Sequence, residues 1–248
     1  KEDRVLRPGV TIAVALGLGY AAPPHGLSAQ SPAPRAVADL IPPNGLATRR
    51  DSFTVLVQGV ELGWIQSSLE RTADGYRYQE RTRLGQFVEQ DTEVTTDERL
   101  RTRAITQTGK VQGEETRIGL AVDGGRIRGS AVTPGPGGPR TVEIDTVMTE
   151  AALDDNLIQT VLPALPWDTD TTFQLTTFSS GSGESHPVTL TNQGRDVVEI
   201  GGRETECYRI RLEGGDQQVT FWVTVSGPRR LMRIVIANSP VEIVRASP

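Results

Sequence analysis

The chain has 248 residues, of which 36% are hydrophobic, and a formal net charge of −5. This length suits one β-rich domain with extensions, or two small domains. The negative charge argues against non-specific nucleic-acid binding, which depends on Lys and Arg neutralising phosphates. Cys207 is the only cysteine, so an intrachain disulfide and a cysteine-based metal cluster are excluded, and we expect a half-buried thiol there.

Residues 1–30 predict a secretory signal peptide or a retained N-terminal anchor. A charged start precedes the apolar run Val10–Ala22, and small residues lead to a plausible cleavage point after Ala29. The apolar run is shorter than the roughly 20 residues that a membrane-spanning helix needs. We therefore expect export to the periplasm, and residues 31–50, which are rich in Pro and Ala, predict a tether to the folded part.

Residues 51–248 predict a β-rich domain. Residues 52–60 and 62–69 are typical of a hairpin, and Asp74-Gly75 predicts a second tight turn. The strand that follows is strongly polar, with Arg77, Gln79 and Arg81 at alternate positions, so a cavity lined by such strands would be wet. Further strands are predicted at 87–94, 100–108, 116–122, 126–132 and 141–148.

One helix is predicted, from Glu150 to Leu162. Its apolar residues recur at helical spacing, Thr149 is a suitable N-cap, and Pro163 ends it. Strands resume at 171–178 and 187–191 on either side of a serine- and glycine-rich loop. Two β lobes dividing near residues 134–140, where prolines and glycines cluster, are an alternative arrangement.

The last part of the domain, from Arg195 to Arg245, predicts an antiparallel meander. Short β-branched runs alternate with turns rich in Gly, Pro and Asn. Because side chains alternate across a strand, one face is expected to be buried and the other largely wet. The predicted core face collects Val198, Ile200, Tyr208, Ile210, Leu212, Val219, Phe221, Val223, Met232, Ile234, Ile236, Val241 and Ile243.

The sequence contains few candidate catalytic or metal-binding residues. There are two histidines, and only His186 lies in the predicted domain, without a Gly-x-Ser-x-Gly elbow. Aspartates occur in pairs, at Asp154-Asp155 and Asp168/Asp170, but helix solvation and turn chemistry account for them. We therefore expect a non-catalytic protein without a metal or cofactor. An enzyme would need His186 or the carboxylate pairs to converge in one pocket.

Two tryptophans suggest a binding surface. Trp222 falls on the face of the meander opposite the predicted core, with Leu231, Val235 and Val244 nominally on the same side. The candidate ligand- or partner-binding residues are Trp64, Trp222, Leu231 and Val235. The competing explanation is that the predicted helix packs on Trp222, because a sheet often takes a helix on one face.

The sequence resembles exported half-barrel proteins around the lipoprotein carrier LolA, and most closely the DUF3108-like group. The similar positions are Phe53 to Trp64, then Cys207-Tyr-Arg-Ile-Arg-Leu, Phe221-Trp-Val and Val241-Glu-Ile. The resemblance implies a curved antiparallel sheet around a helix, in the periplasm. We thus expect a mainly β fold, a large curved antiparallel sheet or open β-barrel with one packed α-helix.

Two functions follow as expectations. The first is an exported accessory or scaffold module at the membrane surface, which binds and stabilises a membrane protein complex. The second, implied by the resemblance, is a periplasmic carrier of lipid or another apolar ligand. The carrier requires a continuous apolar cavity lined by the strands that contain Phe53 and Ile234.

Overall fold

The computed structural model describes residues 35–42, 45–135, 137–149, 151–214 and 218–246. The predicted signal segment 1–30 and the first residues of the predicted tether lie outside the described residues. The strands are β1 (Arg49–Val57), β2 (Val60–Thr72), β3 (Gly75–Leu84), β4 (Val88–Asp97), β5 (Thr102–Val111), β6 (Glu114–Asp123), β7 (Arg126–Thr133), β8 (Arg140–Val147), β9 (Ala152–Asp154), β10 (Thr172–Ser179), β11 (Glu184–Ile200), β12 (Arg203–Glu213), β13 (Val219–Thr224), β14 (Leu231–Ile236) and β15 (Val241–Arg245). The helices are α1 (Val37–Leu40) and α2 (Ile158–Val161).

All fifteen strands form one sheet, in the order β8-β7-β6-β5-β4-β3-β2-β1-β15-β14-β13-β12-β11-β10-β9. Neighbouring strands are antiparallel except for the short parallel pair β9–β10. The pairing of β1 with β15 joins the first and last strands of the domain, from Phe53 opposite Arg245 to Val57 opposite Val241. The edges of the sheet are β8 and β9, so the curved sheet is an open barrel. The predicted fold class is confirmed.

The predicted helix Glu150–Leu162 is wrong in extent. Residues 152–154 form β9, and α2 is a single turn flanked by the 3-10 turns Asp155–Leu157 and Leu162–Ala164. The Asp154 side chain accepts a hydrogen bond from the Asn156 amide, which starts a tight turn at the place where the sequence pattern predicted a continuing α-helix. All four residues of α2 are buried, so tertiary packing, rather than an amphipathic surface pattern, determines its conformation. We call residues 152–168 the plug.

The structure also shows where the predicted tether and the predicted loop near 134–140 lie in the fold. Residues 37–40 of the predicted tether form a helical turn whose Val37 is 3% exposed within the core, and Asp39 pairs with Arg99 at 2.7 Å. This part of the chain therefore belongs to the folded body. The loop between Thr133 and Arg140 joins β7 and β8, which pair along their whole length, so it is a hairpin connection inside one sheet. No helix among the described residues has the length and apolar composition needed to cross a membrane.

The main core lies between the inner face of the sheet and the plug. It contains ten of the predicted core residues of the meander: Tyr208, Ile210, Leu212, Val219, Phe221, Val223, Ile234, Ile236, Val241 and Ile243. Three predictions are wrong, because Val198, Ile200 and Met232 belong to a second cluster around Trp222 and the fully buried Cys207.

Two β-bulges explain these exchanges. The register of β13 and β14 shifts between Trp222 and Val223, so Leu231 turns into the main core and Met232 turns outward. A bulge between Asn192 and Arg195 in β11 likewise reverses the alternation in the second half of that strand, so Val198 and Ile200 turn outward. The sequence pattern treats 187–191 and 195–200 as separate strands, but they are one long strand with this irregularity.

Candidate functional site

The inner side of the sheet is filled rather than hollow. Phe53 and Ile234, expected to line a carrier cavity, are 2% and 1% exposed and belong to the same packed core. The plug supplies the opposing side chains, among them Leu157 and Leu162. An apolar ligand would therefore have to displace the plug.

A polar contact fixes the plug to β3. The Gln159 amide nitrogen donates hydrogen bonds to Tyr78 Oη at 2.8 Å and to Glu80 Oε2 at 2.5 Å. Tyr78 and Thr82 also donate to the Glu80 carboxyl. Burial raises the pKa of Glu80, and these hydrogen bonds oppose the rise. The group is thus a satisfied buried cluster, in which the polar atoms stabilise the position of the plug.

Arg49 of β1 also binds this part of the plug. Its guanidinium donates hydrogen bonds to the main-chain oxygens of Gln159 and Thr160, and it pairs with Asp51 at 3.1 Å. Asp51 also pairs with Arg245 of β15 at 2.6 Å. Burial lowers the pKa of Arg49, and the Asp51 carboxylate opposes this effect. The network links the plug to both β1 and β15.

A buried pair of aspartates lies at the start of the plug. Asp154 and Asp155 are 0% and 3% exposed, and Asn156 donates hydrogen bonds to one oxygen of each. Burial raises the pKa of Asp154 to about 6. Burial, and then the charge of Asp154, raise the pKa of Asp155 well above its usual value. Among the described residues, none donates a hydrogen bond to the other, buried carboxyl oxygen of Asp154 or Asp155.

The residues considered for catalysis have separate environments. Asp168 accepts hydrogen bonds from Tyr208 and Arg229, whereas Asp154 and Asp155 contact Asn156. The His186 ring lies 3.4 Å from the carboxylate of Glu184 in the β10–β11 hairpin. Within the described residues, no group of three or more His, Cys, Asp and Glu side chains is arranged to hold a metal ion.

Trp222 organises the outer side of the meander. Its indole nitrogen donates a hydrogen bond to Asp196 at 3.0 Å, and the Arg233 guanidinium lies 4.9 Å from its ring centre. The predicted packing of the helix on Trp222 is wrong, since α2 belongs to the main core. The β11–β12 hairpin, through Val198 and Cys207, packs there instead. Of the other candidates, Val235 packs on this second cluster, while Leu231 is 3% exposed in the main core.

The outer face of four adjacent strands beside Trp222 carries apolar side chains on either side of the Arg233–Glu242 ion pair. Val244 stands opposite Arg233, and Arg233 stands opposite Trp222. In the next row, Leu56 faces Glu242 and Glu242 faces Val235. Side chains at directly paired positions share a face of the sheet. The docking face consists of Leu56, Trp222, Arg233, Val235 and Val244, of which all but the buried Trp222 are half-buried.

Trp64 lies in the same cross-strand row as Trp222. The row runs from Trp64 through Thr54, Val244 and Arg233 to Trp222. Four strand spacings of about 4.8 Å place the two tryptophans about 19 Å apart. Trp64 is 36% exposed, so it presents more indole surface to solvent than Trp222 does.

A polar trough of about 660 Å³ crosses the outer face of β1 to β5, in the rows next to Trp64. Its floor is the backbone around Asp51, Ser67, Glu80 and Thr92. These four positions pair in register, and the side chains of Asp51 and Glu80 bond inward, to Arg245 and Tyr78. One wall consists of Arg50, Ser68, Gln79, Glu93 and Thr106, and the other of Ser52, Gln66, Arg81, Asp91 and Thr108.

The sequence pattern did not identify the trough as a site, and it identified the docking face only in part, through Trp222, Val235 and Val244. Polar alternation in β3 marked Gln79 and Arg81 as members of a wet strand face, but it gave no information on their partners in β1 and β4. The register of five strands brings these side chains together, and a register depends on pairings distant in sequence. Alternation alone placed Trp222 and Val235 correctly on the outer face.

Comparisons with known proteins agree with this architecture. The family model described as a protein of unknown function (DUF3108) matches residues 52–245, which confirms the resemblance to that group. Among solved structures, the chain is similar to the beta-barrel-like protein of the domain of unknown function DUF1849 from Brucella abortus. The TM-score is 0.51 at 12% identity, covering 81% of this chain and 95% of that chain. At this identity the likeness shows the fold alone. No curated protein matches the chain.

Proposed function

The chain belongs to the DUF3108 family, and we propose that it is a non-catalytic, exported accessory module that binds a membrane-associated protein complex through its docking face. The observation that carries this proposal is the position of its free apolar surface. The inner apolar face of the sheet is covered by the plug, whereas the outer face of β1 and β13 to β15 presents Leu56, Val235 and Val244.

The chemistry of the docking face favours a protein partner. Arg233 lies over the Trp222 ring and pairs with Glu242 at 2.6 Å, so a Trp–Arg pair lies beside the aliphatic side chains of Val235 and Val244. Tryptophan and arginine are the residue types that most often dominate protein–protein binding energy. The rigid, multiply paired strands beneath them make this surface pre-organised, which limits the entropy cost of binding.

The carrier function stays a prediction. It rests on the resemblance to the lipid-carrying group, and it requires that Leu157, Leu162 and their neighbours leave the core. Export to the periplasm and attachment to the membrane surface are likewise proposals. The apolar run and the small residues at 10–30 support export, and an exported protein at the membrane surface fits the accessory role.

The test places a photo-crosslinking amino acid in the full chain, expressed in its native cell envelope. Position Val244, on the docking face, is compared with Thr141, an exposed outer-face position of β8. We expect a defined crosslink to a membrane-complex subunit from Val244 and none from Thr141. The same complex should co-migrate with the chain in mild detergent, and reading the N-terminus of the chain tests export.

The matched variant is Val244→Asp, which places a charge on the docking face but leaves the inner core intact. It should abolish co-migration with the complex in mild detergent, while the thermal unfolding midpoint of the protein stays close to that of the wild type. A chain that migrates alone with bound lipid would instead support the carrier. Identical crosslinks from Val244 and Thr141 would contradict a specific docking face.

A further inference from the structure

The trough on β1 to β5 has a chemistry that differs from that of the docking face. Its walls carry six neutral hydrogen-bonding side chains: Ser52, Gln66, Ser68, Gln79, Thr106 and Thr108. Among the described residues, only Gln79 of these six makes a side-chain hydrogen bond, to Glu93 at 2.9 Å. Hydroxyl and amide groups of the other five are therefore available to a ligand as donors and acceptors.

The charges in the trough largely cancel. Arg50 lies 3.6 Å from Glu70, and Arg81 lies 3.9 Å from Asp91. Asp91 also accepts two hydrogen bonds from Arg83, at 3.0 and 3.2 Å. Because each arginine has a carboxylate beside it, the trough offers no cluster of like charge to a strongly anionic or cationic polymer.

The floor argues against an extended peptide bound by strand addition. Its backbone groups are engaged in the ladders that join β1 to β5, whereas strand addition needs a free sheet edge. The ligand must therefore be held by side chains, and it must match a trough about 19 Å long, given four strand spacings of about 4.8 Å.

Trp64 adds a flat apolar surface beside one wall. It lies two residues from Gln66 on the same face of β2 and directly opposite Arg83 of β3. An indole ring combines a large apolar face with a polar edge, and the C–H face of a pyranose ring packs on such a surface. An aromatic ring next to rows of amides and hydroxyls is complementary to a chain of neutral sugars.

We propose that the trough, with Trp64 at its rim, binds a neutral oligosaccharide segment. Gln66, Gln79 and the wall hydroxyls bind sugar hydroxyls, and Trp64 packs on one ring. Such a volume lies in the range of ligand sites, about 300–1,000 Å³. The proposal does not depend on the docking face or on the identity of a protein partner.

The experiment is a nuclear magnetic resonance titration of the full chain with two soluble probes. One is the β-1,4-linked tetramer of N-acetylglucosamine and the other is maltotetraose, so the two arms distinguish an amino-sugar source from a glucan source. Binding of either tetramer should shift the Trp64 indole N–H signal and the side-chain amides of Gln66 and Gln79. Oligolysine and oligoglutamate are titrated as charged competitors.

Variants locate the binding. Trp64→Ala and the double variant Gln66→Ala/Gln79→Ala should each weaken binding by about tenfold or more, as removal of a central aromatic or of two ligand hydrogen bonds does. Thr141→Ala, on the outer face of β8, should leave the affinity unchanged. Dispersed spectra for every variant show that the fold is retained.

Three results would overturn the proposal: no shift in the trough with either tetramer, sugar binding that the trough variants do not weaken, and trough shifts caused by a charged peptide in place of sugar. None of these depends on the crosslink from Val244, so failure of the oligosaccharide site and failure of the accessory function are distinguishable.

Discussion

The buried pair Asp154 and Asp155 predicts a specific dependence of stability on pH. Both side chains lie inside the core at the start of the plug, and burial raises the pKa of each. Replacing Asp154 by Asn keeps an oxygen that accepts from the Asn156 amide, as Asp154 Oδ1 does at 3.1 Å. The substitution removes the ionisable group, and it also removes the charge that raises the pKa of Asp155.

The sign follows from the folded and unfolded pKa values. A folded pKa of about 6, against 3.8 as the usual value, means that the folded protein holds this proton more tightly than the unfolded chain does. The stabilisation is complete below about pH 4 and is lost as pH rises to about 6. A difference of about 2 pKa units corresponds to about 3 kcal/mol of unfolding free energy.

The assay is urea unfolding of the wild type and Asp154→Asn at pH 4.5 and pH 8. We expect the wild type to lose about 2 kcal/mol more than the variant between these pH values, because pH 4.5 lies above the unfolded pKa and part of the stabilisation is already lost there. Aspartates with a lowered pKa stabilise the fold as pH rises, which opposes the effect of Asp154. Both proteins contain these aspartates, so their contribution cancels in the comparison; they are Asp97, Asp145, Asp168 and Asp196. Asp123→Asn, at an exposed turn, is the control and should keep the wild-type profile. An equal loss in the wild type and Asp154→Asn would refute the reasoning.

Two further predictions concern the interior. Leu162→Ala should lower the unfolding free energy by about 2–5 kcal/mol, because Leu162 is 0% exposed between the plug and the sheet; urea unfolding measures it, and Val147→Ala at an exposed position should change little. Cys207 is 0% exposed and burial raises its pKa to about 11, so a thiol reagent at pH 8 should modify it only after unfolding. Rapid labelling of the native protein would contradict that burial.

The strand meander was predictable because its information is local. Apolar and polar side chains alternate from Tyr208 to Leu212, and alternate positions from Val219 to Val223 are apolar. This pattern predicts which face of each strand is buried in the core, and the structure confirms it. The errors begin where an extra residue enters a strand. At Met232 the bulge opposite Val223 reverses the alternation, and a strand sequence carries no strong signal for such a residue.

The helix prediction failed for a different reason. Leu153, Leu157 and Val161 recur at helical spacing, and all three are buried in the main core. Their neighbours in α2 are buried as well, so the spacing does not mark the single apolar stripe of an amphipathic helix. The Asp154 side chain starts a tight turn, and Ala152 to Asp154 pair with β10 instead. The pairing with β10 involves a tertiary neighbour, which the local pattern does not specify.

The outer surface illustrates why function was harder to predict than fold. Trp64 and Trp222 belong to distant parts of the sequence, and they share a row only because β1 pairs with β15. The Asp51–Arg245 ion pair joins the same two strands on the inner side and, through Arg49, joins them to the plug. The inner polar network therefore holds together the two strands on which both outer surfaces depend. The trough lies on β1 to β5 and the docking face on β1 and β13 to β15, so the two surfaces share β1 and lie side by side on one sheet.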